Sequence, residues 1–84
     1  MKEVIMLKSY KFNDALYNHD VTLKQLHIMC LLINGAVNAI MEDVRNKKCT
    51  IGDVHNAMIY MEVDFCTYRR ISEMLYVEVM NHDK

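Results

Sequence analysis

Leu23, Leu26, Met29, Cys30 and Ile33 recur at three- and four-residue steps, the spacing of one face of a helix. Asp20 and Thr22 precede them as capping residues. Thr22 with Gln25 has the spacing of a capping box, in which each side chain satisfies an orphan backbone N–H. Asn34-Gly35 weakens the helix and predicts a bend or break. Beyond it, Val37, Ile40, Met41 and Val44 share one side of a second helical piece, which runs to about Arg45 and a polar Asn-Lys-Lys loop. Thr50 opens the next helix, with Asp53 completing a second capping box and Val54, Ala57, Met58 and Met61 forming the stripe to be buried. A turn over residues 62–64 leads to a last helix from about Phe65. Its inward face is Tyr68, Ile71, Leu75 and Val79, and Asp64 caps it with a charge that the helix dipole favours.

The two ends of the chain carry weaker patterns. The apolar burst from Val4 to Leu7 reads as an edge strand or a loose arm, and Phe12, Ala15 and Leu16 as one side of a short helix. The tail "YVEVM" alternates, which predicts a short strand pairing with Val4 to Leu7.

Eighty-four residues make one domain, residues 1–84. A body this small buries a limited share of its surface, yet 52% of its residues are apolar and eight are Met. Part of that surface is therefore expected to face a partner, most simply a second copy in a homodimer. Leu23, Leu26, Met29, Ile33, Val37, Ile40 and Met41 are expected to build the core and part of that interface, since Met adapts to such surfaces. The chain has no Pro and two Gly, so no linker, repeat or low-complexity tract is evident. The longest apolar run, residues 28–41, is interrupted by Asn34 and Asn38, and the N-terminus lacks a signal-peptide pattern. A soluble, cytoplasmic protein without a membrane partner is the expectation.

Three scattered cysteines, Cys30, Cys49 and Cys66, form no Cys-x-x-Cys pair, so neither a disulfide framework nor a zinc ribbon is expected. Cys49 and His55 lie near each other in sequence, but a metal site needs three or four ligands; no metal or cofactor is expected. His27 reads as packed and His55 as exposed. No nucleophile–base–orienter set, Gly-rich phosphate loop or shaped carboxylate pair is visible, which argues against an enzyme.

A net charge of −1 is low for a nucleic-acid binder, but its distribution is uneven. Residues 44–72 hold five basic residues (Arg45, Lys47, Lys48, Arg69, Arg70) against three acidic ones (Asp53, Glu62, Asp64). A helix-turn-helix needs an apolar residue in its turn and further apolar residues five and eight places on, with polar or basic ones between. Val63, Tyr68 and Ile71 meet that spacing and leave Asp64, Phe65, Cys66, Thr67, Arg69, Arg70 and Glu73 outside. Guanidinium forks bind guanine edges or phosphates, so Arg69 and Arg70 are the main candidate contacts to double-stranded DNA. Thr67 and Glu73 would help, Phe65 would meet a thymine methyl, pack on a partner subunit or tuck under the turn, and Arg45, Lys47 and Lys48 would hold phosphates. The expected fold is thus mainly α: a small helical bundle with a helix-turn-helix and room for a rudimentary two-stranded wing from the termini.

"TIGDV" followed by "VDFCTYRRI" resembles the helix-turn-helix of bacterial transcription regulators, and "TLKQLHIMCLLI" is similar to the helix leading into the DNA-binding unit of MarR-type winged helices. Two departures stand out: the interval from Ile51 to Val63 is about one helical turn longer, and Glu62 occupies the place of the usual glycine. The longer interval resembles the small regulators of fimbrial operons in enteric bacteria. Leu26-His27, Leu31 to Ile33, Thr50, Asp53-Val54 and Phe65-Cys66-Thr67 fall at nearly matching intervals, without the asparagines that precede the Phe in that family. Both resemblances span roughly residues 22–75 and imply a DNA-binding regulator. "KKCTIGDVHNAM" also echoes the last helix of histone folds, but only Gly52 separates Ile51 from Asp53, too short an interval for that fold. The rival function is a non-catalytic protein-interaction module, favoured by the low charge, the methionines and the acidic Glu62, Asp64 and Glu73.

Overall fold

The computed structural model describes residues 12–82, and over them the chain is helical with no strand. Helix α1 covers residues 12–18, α2 Leu23–Ile33, α3 Val37–Arg45, α4 Ile51–Tyr60 and α5 Phe65–His82. Both capping boxes form. Thr22 Oγ1 accepts from the Gln25 N–H while the Thr22 N–H donates to Gln25 Oε1, each at 3.1 Å. Thr50 and Asp53 repeat the exchange at 3.0 and 3.1 Å. The amide that makes this cap belongs to Gln25, the buried polar residue of the core, so its burial leaves no polar group unsatisfied.

Three helices end the same way, each by placing one residue in the left-handed region: Gly35 (φ 69°) after α2, Lys47 (φ 62°) after α3 and Glu62 (φ 53°) after α4. Each time the residue there and the one after it donate back to two carbonyls of the helix's last turn. The pairs are Gly35 to Leu32 and Ala36 to Leu31, Lys47 to Val44 and Lys48 to Asp43, and Glu62 to Ile59 and Val63 to Met58. Carbonyls that a helix end would orphan are thereby satisfied, and the chain reverses within a few residues.

Helix α2 packs most extensively on α4, and α3 on α5. Their shared core is Ile28, Met29 and Leu32, Ile40 and Met41, Val54, Ala57, Met58 and Met61, Ile71 and Leu75, with Ala15 from α1 and Cys49 from the loop before α4. Unbranched methionine side chains fill the irregular gaps where such short helices cross. The stripe expected for α4 is buried in full.

Three expectations are corrected. Helix α2 turns Gln25, Ile28, Met29 and Leu32 inward, whereas Leu23 is 83% exposed and Cys30 faces solvent. Of the other residues expected in the core, Met29, Ile40 and Met41 are buried, and Leu26, Ile33 and Val37 are half-buried. The cause is an α2 that is apolar on nearly every side, so three- and four-residue steps fit more than one face. In α1, Ala15 is buried and Phe12 packs on the core, while Leu16 is 43% exposed. Residues 76–80 are not a strand: they continue α5, with Leu75 inward and Glu78 bonded to Arg45 of α3, a placement the alternation of Val77 and Val79 does not reveal. The segment Val4 to Leu7 lies outside the described residues.

Left-handed backbone strains any residue with a Cβ by roughly 1–2 kcal/mol, whereas glycine adopts it freely. Glu62→Gly and Lys47→Gly are therefore expected to raise the unfolding free energy read from urea titrations, by roughly 0.5–1 kcal/mol each once glycine's greater unfolded-state entropy is subtracted. Gly35→Ala should lower it by about 1–2 kcal/mol, although a Cβ there meets no atom within 4 Å.

Candidate functional site

The candidate site is built on the α4–turn–α5 unit. After Met61 closes α4, Glu62 turns left-handed and Val63 packs half-buried on the core. Asp64 then caps α5: its Oδ2 accepts from the Thr67 N–H at 3.3 Å, and its carbonyl accepts from the Tyr68 N–H at 2.9 Å. Ile71 is fully buried and Tyr68 packs half-buried beside it, so Val63, Tyr68 and Ile71 all face inward. His55, expected to be exposed, is half-buried and joins the two helices. Its Nε2 lies 3.1 Å from Ser72 Oγ, and its ring stacks on Tyr68 with centroids 5.6 Å apart. A second histidine braces the other pair of helices: His27, expected to be packed, is exposed with its Nε2 3.0 Å from Asp43 Oδ2.

The outward face of α5 begins with Phe65, 75% exposed, followed by Cys66, Arg69, Arg70 and Glu73. The arginines diverge because successive helical residues point about 100° apart. Arg69 donates through Nε to Glu73 Oε2 at 3.2 Å on the solvent side. Arg70 instead lines a groove of about 590 Å³ between α3 and α5. Thr67 is half-buried, and its N–H is engaged in the Asp64 cap.

Arg45 is engaged within the fold. Its Nε and Nη2 donate to the two carboxylate oxygens of Glu78 at 2.7 and 3.1 Å, a bidentate pair tying the end of α3 to α5. That bond with Glu78 raises the pKa of Arg45. Glu78 sits about 20 Å along α5 from Phe65 at about 1.5 Å per residue, so Arg45 stands away from the first turn of that helix. Lys47 and Lys48 are exposed in the following loop. Sequence spacing had grouped Arg45, Lys47, Lys48, Arg69 and Arg70 by position; the fold divides them among a bracing pair, a loop, an outer face and a groove.

The groove itself was not foreseen. Its lining combines apolar Met41, Met74 and Val77 with Arg45 and Arg70 and with Glu42, Glu73 and Glu78. Its sequence trace is Arg70, Met74 and Glu78 at four-residue steps, legible only once residues 76–80 are known to be helical.

Burial, with the carboxylates of Asp43 and Asp53, pushes the Cys49 thiol up, away from the reactive thiolate. Among the described residues, no group of three or more His, Cys, Asp or Glu is arranged to hold a metal ion, and no helix is long and apolar enough to cross a membrane. No protein-family model, curated protein or solved structure matches the chain.

The hydroxyl and N–H of Thr67, together with nearby backbone N–H groups, hold the Asp64 carboxyl below its usual range. A lowered folded-state pKa stabilises the fold above the ordinary aspartate value of about 4 and loses its effect as pH falls through the lower value. The stability difference between the native protein and Asp64→Ala should therefore be full at neutral pH and shrink on acidification below about pH 4. Urea titrations across pH check this; a difference growing toward acid would contradict it.

Proposed function

We propose that this domain is a DNA-binding transcription regulator that presents the first turns of α5 to the major groove. The observation that carries this reading is the α4–turn–α5 unit, in which Val63, Tyr68 and Ile71 anchor the turn and helix while Phe65, Cys66 and Arg69 face out from the first turns of α5. Glu62 adopts the left-handed conformation that a glycine would otherwise supply, which answers the departure at that position from the bacterial pattern. With residues 76–82 helical, the winged form lacks its C-terminal strand, so the reading leans on the likeness to the fimbrial-operon regulators.

Arg69 is the principal contact. Its exposed pair with Glu73, four residues on, is worth only about 0.3–0.5 kcal/mol, so a base edge or phosphate can displace the carboxylate. Lys47 and Lys48 supply phosphate contacts from the loop. One helix addresses few base pairs, so a homodimer reading two half-sites belongs to the proposal, as does cytoplasmic residence beside the DNA.

A second reading, a module that binds another protein, is favoured by one observation: Met41, Met74 and Val77 give the α3/α5 groove an apolar lining. The two readings differ in electrostatics, because releasing counterions from DNA makes binding steeply salt-dependent. Fluorescence anisotropy of a labelled duplex across a salt series is expected to show saturable binding that weakens with salt. Arg69→Ala should lose about 1–3 kcal/mol of affinity, with an unchanged helical circular dichroism spectrum. Absence of binding at low salt would overturn the regulator reading and favour the protein module.

A further inference from the structure

We propose that the α3/α5 groove is the surface on which a second copy of this chain docks, the two α5 helices crossing antiparallel with Met74 on the two-fold axis. This names the pairing surface of the homodimer in the regulator reading and rests on that reading's need for a second copy.

Arg70, Met74 and Glu78 all line the groove, and their four-residue spacing sets them in one row along α5. The row reads cation, apolar, anion. Laid antiparallel on itself about Met74, it places Arg70 opposite the partner copy's Glu78, Met74 opposite Met74, and Glu78 opposite Arg70. Laid parallel, it would set like charges against each other, so the charges select the antiparallel form. A two-fold interface must be complementary to itself, and this row is.

The surroundings fit the same occupant. Arg70 is exposed and makes no ion pair among the described residues, so its guanidinium is available to a carboxylate from outside. Glu78, already held by Arg45, would then sit between two arginines, with Arg45 fixing its orientation. The groove and its margin hold Arg45, Arg69 and Arg70 against Glu42, Glu73 and Glu78, a charge-neutral set suited to self-pairing. Val77, 55% exposed, adds apolar surface on the groove's side of α5. It lies beyond Leu75, and the protomer's own core does not cover it.

The test is the mass in solution, by sedimentation across a concentration series without DNA. The native chain is expected to pass from monomer to dimer. Arg70→Glu alone sets carboxylate against carboxylate, and Glu78→Arg alone sets guanidinium against guanidinium; each should weaken self-association roughly tenfold or more. An equimolar mixture of the two should recover pairing, because each copy then offers what the other lacks. Mixing cannot repair a misfolded variant, so recovery separates the interface from any damage caused by losing the Arg45–Glu78 bond. A native chain that stays monomeric, single variants that pair as the native chain does, or a mixture that stays monomeric would each overturn the proposal. With no DNA present, such a failure counts against this surface alone, while the anisotropy series tests the DNA reading.

Discussion

Gly35, Lys47 and Glu62 each place the backbone in the left-handed region at the end of a helix, and the arrangement of α2 to α5 depends on those three turns. The chain has no proline to stop a helix and only two glycines to reverse it. Its helix ends are instead closed by pairs of backbone hydrogen bonds folded onto the last turn. Because the connections are short, the exit direction of each helix largely fixes where the next begins. That stacks α2 on α4 and α3 on α5 and leaves the first turns of α5 facing outward beyond the tight turn at Glu62 and Val63. Two of the three turns use residues with a Cβ, so the protein carries local strain that the surrounding packing and backbone bonds offset.

The features legible in the sequence were those written in local chemistry. Thr22 with Gln25 and Thr50 with Asp53 mark helix starts because a capping box spans only three residues. Asn34-Gly35 marks a break because glycine disfavours helix and favours positive φ. Helix α4 could be read because Val54, Ala57, Met58 and Met61 are its well-defined apolar stripe. Helix α2 could not, since Leu23 and Ile28 are equally apolar and only the position of α4 decides which is buried. The tail misled because β-branched Val77 and Val79 alternate, while the bond that holds it helical comes from Arg45, 33 residues earlier. The same distance in sequence hid the groove.

Electrostatically the molecule is more restrained than its local excess of basic residues implied. Glu78 takes up Arg45 and Glu73 takes up Arg69, so two of the three arginines are answered within the chain. The bonds differ in kind. Arg45 is held by two hydrogen bonds and braces α3 to α5, whereas Arg69 makes one bond with both side chains largely exposed and is free to exchange partners. In the proposed function this assigns Arg45 to architecture, Arg69 to the ligand and Arg70 to the second copy. It also accounts for how a chain of net charge −1 could engage DNA: through a few exposed cations at one end of α5 and in the loop after α3 rather than a broad basic face.

The most direct test is an amide chemical-shift titration of the ¹⁵N-labelled protein with duplex DNA, read residue by residue. The proposed function predicts saturable shifts at Phe65, Cys66 and Arg69 and in the Lys47–Lys48 loop, while Ile28, Met29 and Leu32 in α2 stay in place. Unmoved amides across the first two turns of α5 at saturating DNA would contradict it.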